Sequence, residues 1–395
     1  MHRTSFRNVR IWDGVAREYA MADVLAVQAG RIVGVGDSGD GPERDYRDLA
    51  GLTVIPGLID AHVHMTLDPA LPTPDAQLAV PDETLVRDMD RRAEAMVRAG
   101  ITSARDLGGG KWLEVALRDR IAAGQAGPRL LCAGQPVTSI GGHCHFWGGE
   151  ACDAQAAEAV IERQAEHGVD LIKIMATGGN LTKNSSPRKA QYDAETTREI
   201  VEHARRRGFD VAAHCHGTEG IAHSVHAGVA TIEHCSWLAE DGTRSGYDPG
   251  VAAAIAAKGL WVSPTINAGW ARFAKNPKFE RAVQGTFARM REAGVRLIAS
   301  TDAGIPNVRH EDLARALPVF AHYAGLTPVE TLRSATSDCA VAIGLGAVTG
   351  RIAPGYVADL LFVDGDPLSD LSVLESPAFV VAVLRQYQGR QRRAA

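Results

Sequence analysis

His62 and His64 stand two residues apart in the stretch PGLIDAHVH. On an extended chain alternate side chains point the same way, so one strand end can present both imidazoles to a metal ion. A lone H-x-H carries little by itself. Four further residues could complete such a centre: Lys173 in LIKIMATGG, His214 in VAAHCHG, His234 in TIEHCS and Asp302 in LIASTDAG. Each has a plainer explanation, since a strand-end histidine is often only hydrogen-bonded and a lone aspartate often caps the following helix. Lys173 is the least expected, lying between Ile172 and Ile174. A protonated lysine in an apolar strand is costly and cannot bind a cation. Carboxylation by CO₂ would turn the amine into a carbamate, an oxygen ligand able to bridge two divalent ions, and burial lowers the amine pKa in the direction that reaction needs. The alternative is a lysine reaching solvent or an acidic partner.

A scaffold must gather these residues, and the chain offers one. Short apolar, β-branched runs near 58–62, 102–106, 129–132, 171–175, 211–214, 231–234, 260–263 and 297–301 alternate with amphipathic stretches such as 83–99, 154–167, 194–207 and 279–293. That alternation predicts an α/β protein with eight βα units, a (β/α)₈ TIM barrel over 57–342. Active sites of such barrels lie at the C-terminal ends of the strands. Six candidates at one end are hard to obtain from six independent plain causes. Residues 1–56 carry strand-like runs at 6–12, 24–28, 31–35 and 52–55, and 343–395 has the same texture. Together the two ends predict a small discontinuous β-sandwich domain. Gly34-x-Gly36-x-x-Gly39 imitates a dinucleotide fingerprint, but GDGPERDYRD offers no following helix, so it reads as a hairpin turn.

Composition narrows the partners. The chain has 395 residues, 45% hydrophobic and 23% charged, and its 42 basic and 47 acidic residues are mixed throughout. No basic stripe invites nucleic acid. No apolar stretch approaches the ~20 residues of a membrane helix, and the start MHRTSFRNVRIWDG lacks a signal-peptide core, so a cytoplasmic location is expected. Six scattered cysteines without a C-x-x-C pair argue against disulfides and a thiolate zinc site.

The chain resembles the amidohydrolase superfamily, and within it the imidazolonepropionase-like and Xaa-Pro dipeptidase-like branch of metal-dependent carboxypeptidases. The matching stretches are VIPGLIDAHVH, ITSARDLGG, GGHCHFWGGEA, VDLIKIMATGGN, VAAHCHG, AGVATIEHCSWL, STDAG and GRIAPGYVADLLFVDGDPL, in family order across nearly the whole chain. The resemblance implies a dinuclear centre: His62, His64 and Asp302 at the more buried ion, His214 and His234 at the more exposed one, and carboxylated Lys173 with a hydroxide between them. Such donors suit zinc and similar divalent ions, and paired metals lower the pKa of a shared water. Asp302 would then move a proton from hydroxide to the leaving nitrogen. His143, in the turn Gly141-Gly142-His143, matches a family position that contacts substrate and could stabilise the oxyanion. The implied substrate is an amide in a dipeptide, an N-acyl amino acid or a related small molecule. Relatives of this kind are often homo-oligomers.

Several features depart from that pattern. His216 shares a face with His214 by strand alternation and could contact substrate. Cys235-Ser236-Trp237 stands where relatives often carry glycine and threonine, which makes Trp237 a candidate substrate contact. Arg188, with Lys183 and Lys189, lies in the loop after the fourth run and could meet a substrate carboxylate, or simply face solvent. His216-Gly-Thr-Glu219 imitates the His-x-x-Glu of mononuclear deaminases in the same superfamily. That alternative, which extends to a cyclic-amide hydrolase, predicts one metal and dependence on Glu219. An alternative of another class is a catalytically dead scaffold that binds without reacting.

Overall fold

The computed structural model describes residues 3–36, 44–242, 245–383 and 385–389. The N-terminal segment forms β1 (Arg3–Arg7), β2 (Arg10–Ile11), β3 (Val24–Gln28), β4 (Arg31–Val35), β5 (Arg44–Asp48) and β6 (Thr53–Pro56). The continuous run expected over 6–12 is broken at Asn8, whose φ of 55° turns the chain so that β1 and β2 enter different sheets. β5 was not visible in the sequence. Its RDYRD has no apolar alternation, and it is placed by parallel pairing with β1. Gly39 of the glycine-rich stretch lies outside the described residues.

The middle of the chain supplies β7 (Leu58–Val63), β8 (Ile101–Asp106), β9 (Arg129–Cys132), β10 (Ile172–Met175), β11 (Val211–Gly217), β12 (Thr231–Leu238), β13 (Trp261–Ser263) and β14 (Arg296–Leu297). They pair in parallel and in sequence order as two arcs, β7-β8-β9 and β10 to β14. Parallel bridges join the arcs at both seams, Val137 to Ile174 and Val63 to Ala303, reinforced by the His64 N–H donating to the Ala303 carbonyl at 2.7 Å. The last run is shorter than its sequence suggests. Beyond Leu297 the chain leaves regular pairing, and Asp302, at φ 59°, is held instead by its N–H on the His62 carbonyl.

Helices follow the strands, among them Asp82–Arg98, Ala154–Glu166, Ala194–Arg206 and Pro277–Glu292. Asp153, Asp193 and Asn276 cap three of them through side-chain oxygens on first-turn N–H groups. The arrangement is a TIM-barrel-like α/β fold. Its buried core runs through strand faces and helix stripes alike, from Met96 and Ile101 to Ile232, Leu317 and Phe320.

β15 (Leu360–Val363), β16 (Pro377–Ala382) and β17 (Arg385–Gln388) return to the N-terminal strands in the sheet β17-β16-β15-β6-β2, while β4-β3-β1-β5 form a second sheet. Phe6, Leu25 and Ile32 from one sheet and Val54, Phe362 and Phe379 from the other share a core. No helix among the described residues is long and apolar enough to cross a membrane.

Candidate metal centre and active site

The strand ends converge on a cavity of about 440 Å³ whose lining includes His62, His64, Lys173, His214, His234 and Asp302. Both histidines at the end of β7 approach one carboxylate oxygen: Nε2 of His62 lies 3.3 Å and Nε2 of His64 3.2 Å from Asp302 Oδ1. The ligand atoms of His62, His64 and Asp302 fall within 4.8 Å of one another, as do those of His214, His216 and His234.

The partners of the other ring nitrogens decide which nitrogen of each neutral ring is free. His64 Nδ1 meets the Gly108 carbonyl at 2.9 Å, and His214 Nε2 meets the Gly178 carbonyl at 3.1 Å. A carbonyl only accepts, so each ring donates there. His62 Nδ1 donates to Glu233 at 2.9 Å. Thr265 Oγ1 commits its proton to the Pro264 carbonyl and so accepts from His234 Nδ1 at 2.8 Å. The unprotonated nitrogens are thus Nε2 of His62, His64 and His234 and Nδ1 of His214. At the first group two imidazole lone pairs face a carboxylate, an arrangement that fits a cation between them. Burial favours the neutral rings. It lowers His62 to about 4, and with the neighbouring His234 and His143 it takes His214 well below the ordinary range. Burial would lower His64 too, but the Asp302 contact outweighs it and raises that ring, the mark of a site that attracts positive charge.

Lys173 Nζ is buried and has no hydrogen-bond partner. Burial lowers its pKa to about 8. An orphaned amine among imidazoles suits a group that is modified rather than carried as an ammonium.

Two supports escaped the sequence. Glu233 accepts from His62, from Arg105 Nη2 at 2.8 Å and from Thr231 Oγ1 at 2.5 Å. Burial would raise its carboxyl, but the Arg105 guanidinium and His62 outweigh that and hold it below the usual range. Arg105 also donates to the Ala61 carbonyl. A signal was present in a charged pair inside two apolar strands, but their pairing spans 128 positions. Asp60 is the other support. It accepts from Thr301 N and Oγ1 and from His62 N, tying the Asp302 turn to β7, and burial pushes its carboxyl up to about 7.

His143 lines the cavity with its ring 4.6 Å from that of His214, and burial lowers it to about 3, so it is a neutral donor. His216 stacks on His234 at 4.4 Å and bonds Ser236 Oγ through Nδ1 at 2.8 Å. Two expected substrate contacts lie elsewhere. β12 continues to Leu238 and buries Trp237 behind the site, with its indole N–H on Met290 Sδ and its ring 4.9 Å from that of Tyr247. Arg188 is outside the cavity lining, and its guanidinium donates to the Ala239 carbonyl, clasping the loop after β12. Glu219 is exposed on the helix Thr218–Ala227, also outside the lining.

The sequence pattern of the amidohydrolase family matches residues 53–386. The chain belongs to the amidohydrolase family. It is 27% identical to an ochratoxinase of Aspergillus niger, over 89% of this chain and 79% of that one. It is 25% identical to an imidazolonepropionase of Chloroflexus aggregans, over 89% and 86%. A solved Xaa-Pro dipeptidase with methionine in its active site superposes with a TM-score of 0.84 at 26% identity, covering 98% of this chain and all of that one. Amidohydrolases are generally metal-dependent, and the two donor groups at the strand ends fit that chemistry.

Proposed function

We propose that this amidohydrolase hydrolyses an unactivated amide C–N bond at a dinuclear metal centre. Family membership and hydrolase-named relatives support amide hydrolysis. The observation that carries the dinuclear reading is the unpartnered Lys173 amine beside two groups of metal donors. In this reading His62, His64 and Asp302 would hold one ion and His214 and His234 the other. The neutral Lys173 amine would add to CO₂, the new N–C bond forming as one C=O π bond opens to a carboxylate and the nitrogen gives up a proton to water. The resulting carbamate would offer oxygen donors to both groups. Bound divalent ions, with zinc the best match to the donors, supply Lewis acidity and a water acidic enough to ionise near neutral pH.

The chain's own groups do the rest. Asp302 accepts the proton of the attacking oxygen and delivers it to the nitrogen of the breaking C–N bond, since an amine anion leaves poorly. Neutral His143 donates a hydrogen bond to the substrate carbonyl oxygen as charge gathers there. Glu233 and Arg105 keep His62 oriented. The same reading takes the scaffold as a closed (β/α)₈ barrel over 57–342, with a β-sandwich from 1–56 and 343–395. Glu219, exposed and away from the cavity, gives the mononuclear deaminase no shuttle.

The test is amine release from a panel of dipeptides, N-acyl amino acids and simple amides, before and after chelation and zinc add-back. Hydrolysis lost on chelation and regained with zinc is expected. Ammonia release from heterocycles dependent on Glu219, or undiminished hydrolysis after chelation, would overturn the reading.

A further inference from the structure

Around the donors, the cavity wall is neutral and largely apolar. Leu67, Trp147, Met175, Leu181, Trp270 and Ile305 all line it, and among the described lining residues Lys173 is the one lysine or arginine. That amine sits with the donors at the strand ends, buried, and as a carbamate it is anionic. The two tryptophans are fixed walls. Trp147 is buried with its ring 5.4 Å from that of His64, and it packs so closely on the loop after β8 that a Cβ on Gly110 would lie 3.1 Å from it. Trp270 is braced by Phe273, Phe279 and Tyr323 at centroid distances of 5.6, 6.1 and 5.6 Å. Two described arginines of the surrounding loops are engaged elsewhere, Arg188 on the Ala239 carbonyl and Arg272 on the Gly269 carbonyl and over the Phe273 ring. Lys183 and Lys189, in the loop after β10, are exposed and outside the lining.

A free carboxylate placed against such a wall would lose hydration and meet no cationic side chain among the described lining residues except the Lys173 amine set among the donors, only neutral donors such as Asn180 and Asn267. An apolar or aromatic group would gain from every square ångström it buries. We infer that the substrate is a neutral amide carrying an aromatic or bulky apolar group, and that chains ending in a free carboxylate, such as dipeptides and N-acyl amino acids, are the poorer substrates. This rests on the amide-hydrolase reading above and chooses within it.

The experiment compares a size-matched pair, N-(4-methylphenyl)acetamide and 4-acetamidobenzoate, on the zinc-loaded full chain. Hydrolysis is followed by amine release and binding by quenching of tryptophan fluorescence. The inference expects kcat/KM and affinity for the neutral compound about tenfold or more above those for the carboxylate. Trp270→Arg should reverse the order by supplying the missing cation, while Trp270→Leu, which keeps the wall apolar, should retain it. Equal or better binding of 4-acetamidobenzoate by the unaltered chain would overturn the inference, as would failure of the neutral compound to bind. If neither compound is hydrolysed, the binding order still decides this point. Failure of the broader amide panel would instead count against the catalytic reading.

Discussion

The chemistry turns on a few side chains whose surroundings leave them little freedom. Asp302 is held between two imidazoles, and burial, which would raise its carboxyl, is outweighed by His62 and His64, so it stays ionised to low pH. Asp302→Asn is expected to lower kcat by about 10²–10⁴-fold with little change in unfolding midpoint, because proton transfer is lost while packing is kept. Steady-state kinetics beside a urea titration checks both. Lys173→Ala should lose bound metal and activity together, and a short-chain carboxylic acid should restore part of each by standing in for the carbamate. Full metal content in that variant without the acid would remove the bridging role. Glu233→Ala strands the Arg105 guanidinium among the strands, where it is buried. An unpaired buried charge of this kind costs about 3–5 kcal/mol. Calorimetric or urea unfolding should show that loss.

The elements bring these residues together through turns that the sequence only partly announces. H-x-H at the end of β7 and the histidines on β11 and β12 were legible, because strand alternation and strand-end position suffice to suggest a shared face. The course of Trp237 and Arg188 was not. Both follow from how far β12 extends and which carbonyl a loop offers, and neither is written in local spacing. Gly304 shows the same non-local control. Its φ is 106°, and a Cβ there would lie 2.5 Å from the His64 carbonyl. Gly304→Ala should therefore lower both stability and turnover by shifting the Asp302 turn against β7, read as parallel losses in unfolding midpoint and kcat. In the first turn of the helix Leu113–Ala122, Glu114 is buried with neither carboxylate oxygen hydrogen-bonded. Burial first, and Asp106 second, push it up from 4.5 to about 8. The folded state thus binds a proton that the unfolded chain releases near 4.5, so stability falls as pH rises from about 4.5 through 8. Glu114→Gln should flatten that slope, its urea midpoint gaining on the unaltered chain between pH 5 and 8. A difference independent of pH would show that Glu114 does not titrate in that window.

At the scale of the molecule, the two ends of the chain build one pair of sheets beside the strand arcs. Phe362 stacks on Phe379 at 4.1 Å and lies 5.1 Å from Phe6, joining residues more than 350 positions apart. Phe362→Ala is expected to cost about 3–5 kcal/mol of stability while the metal content of the folded protein is unchanged. That separation would place the terminal sheets in support of the centre rather than within it. The repeating βα texture made the strand arcs readable, since each unit announces itself locally. The terminal sheets were readable in kind but not in pairing, because β5 and the break at Asn8 are set by strands far away. The central claim is that the strand ends hold two divalent ions bridged through Lys173. Its most direct test is metal content per chain, by inductively coupled plasma mass spectrometry, in protein purified without chelator and offered zinc. Two ions per chain are predicted, and one or none would contradict the dinuclear account.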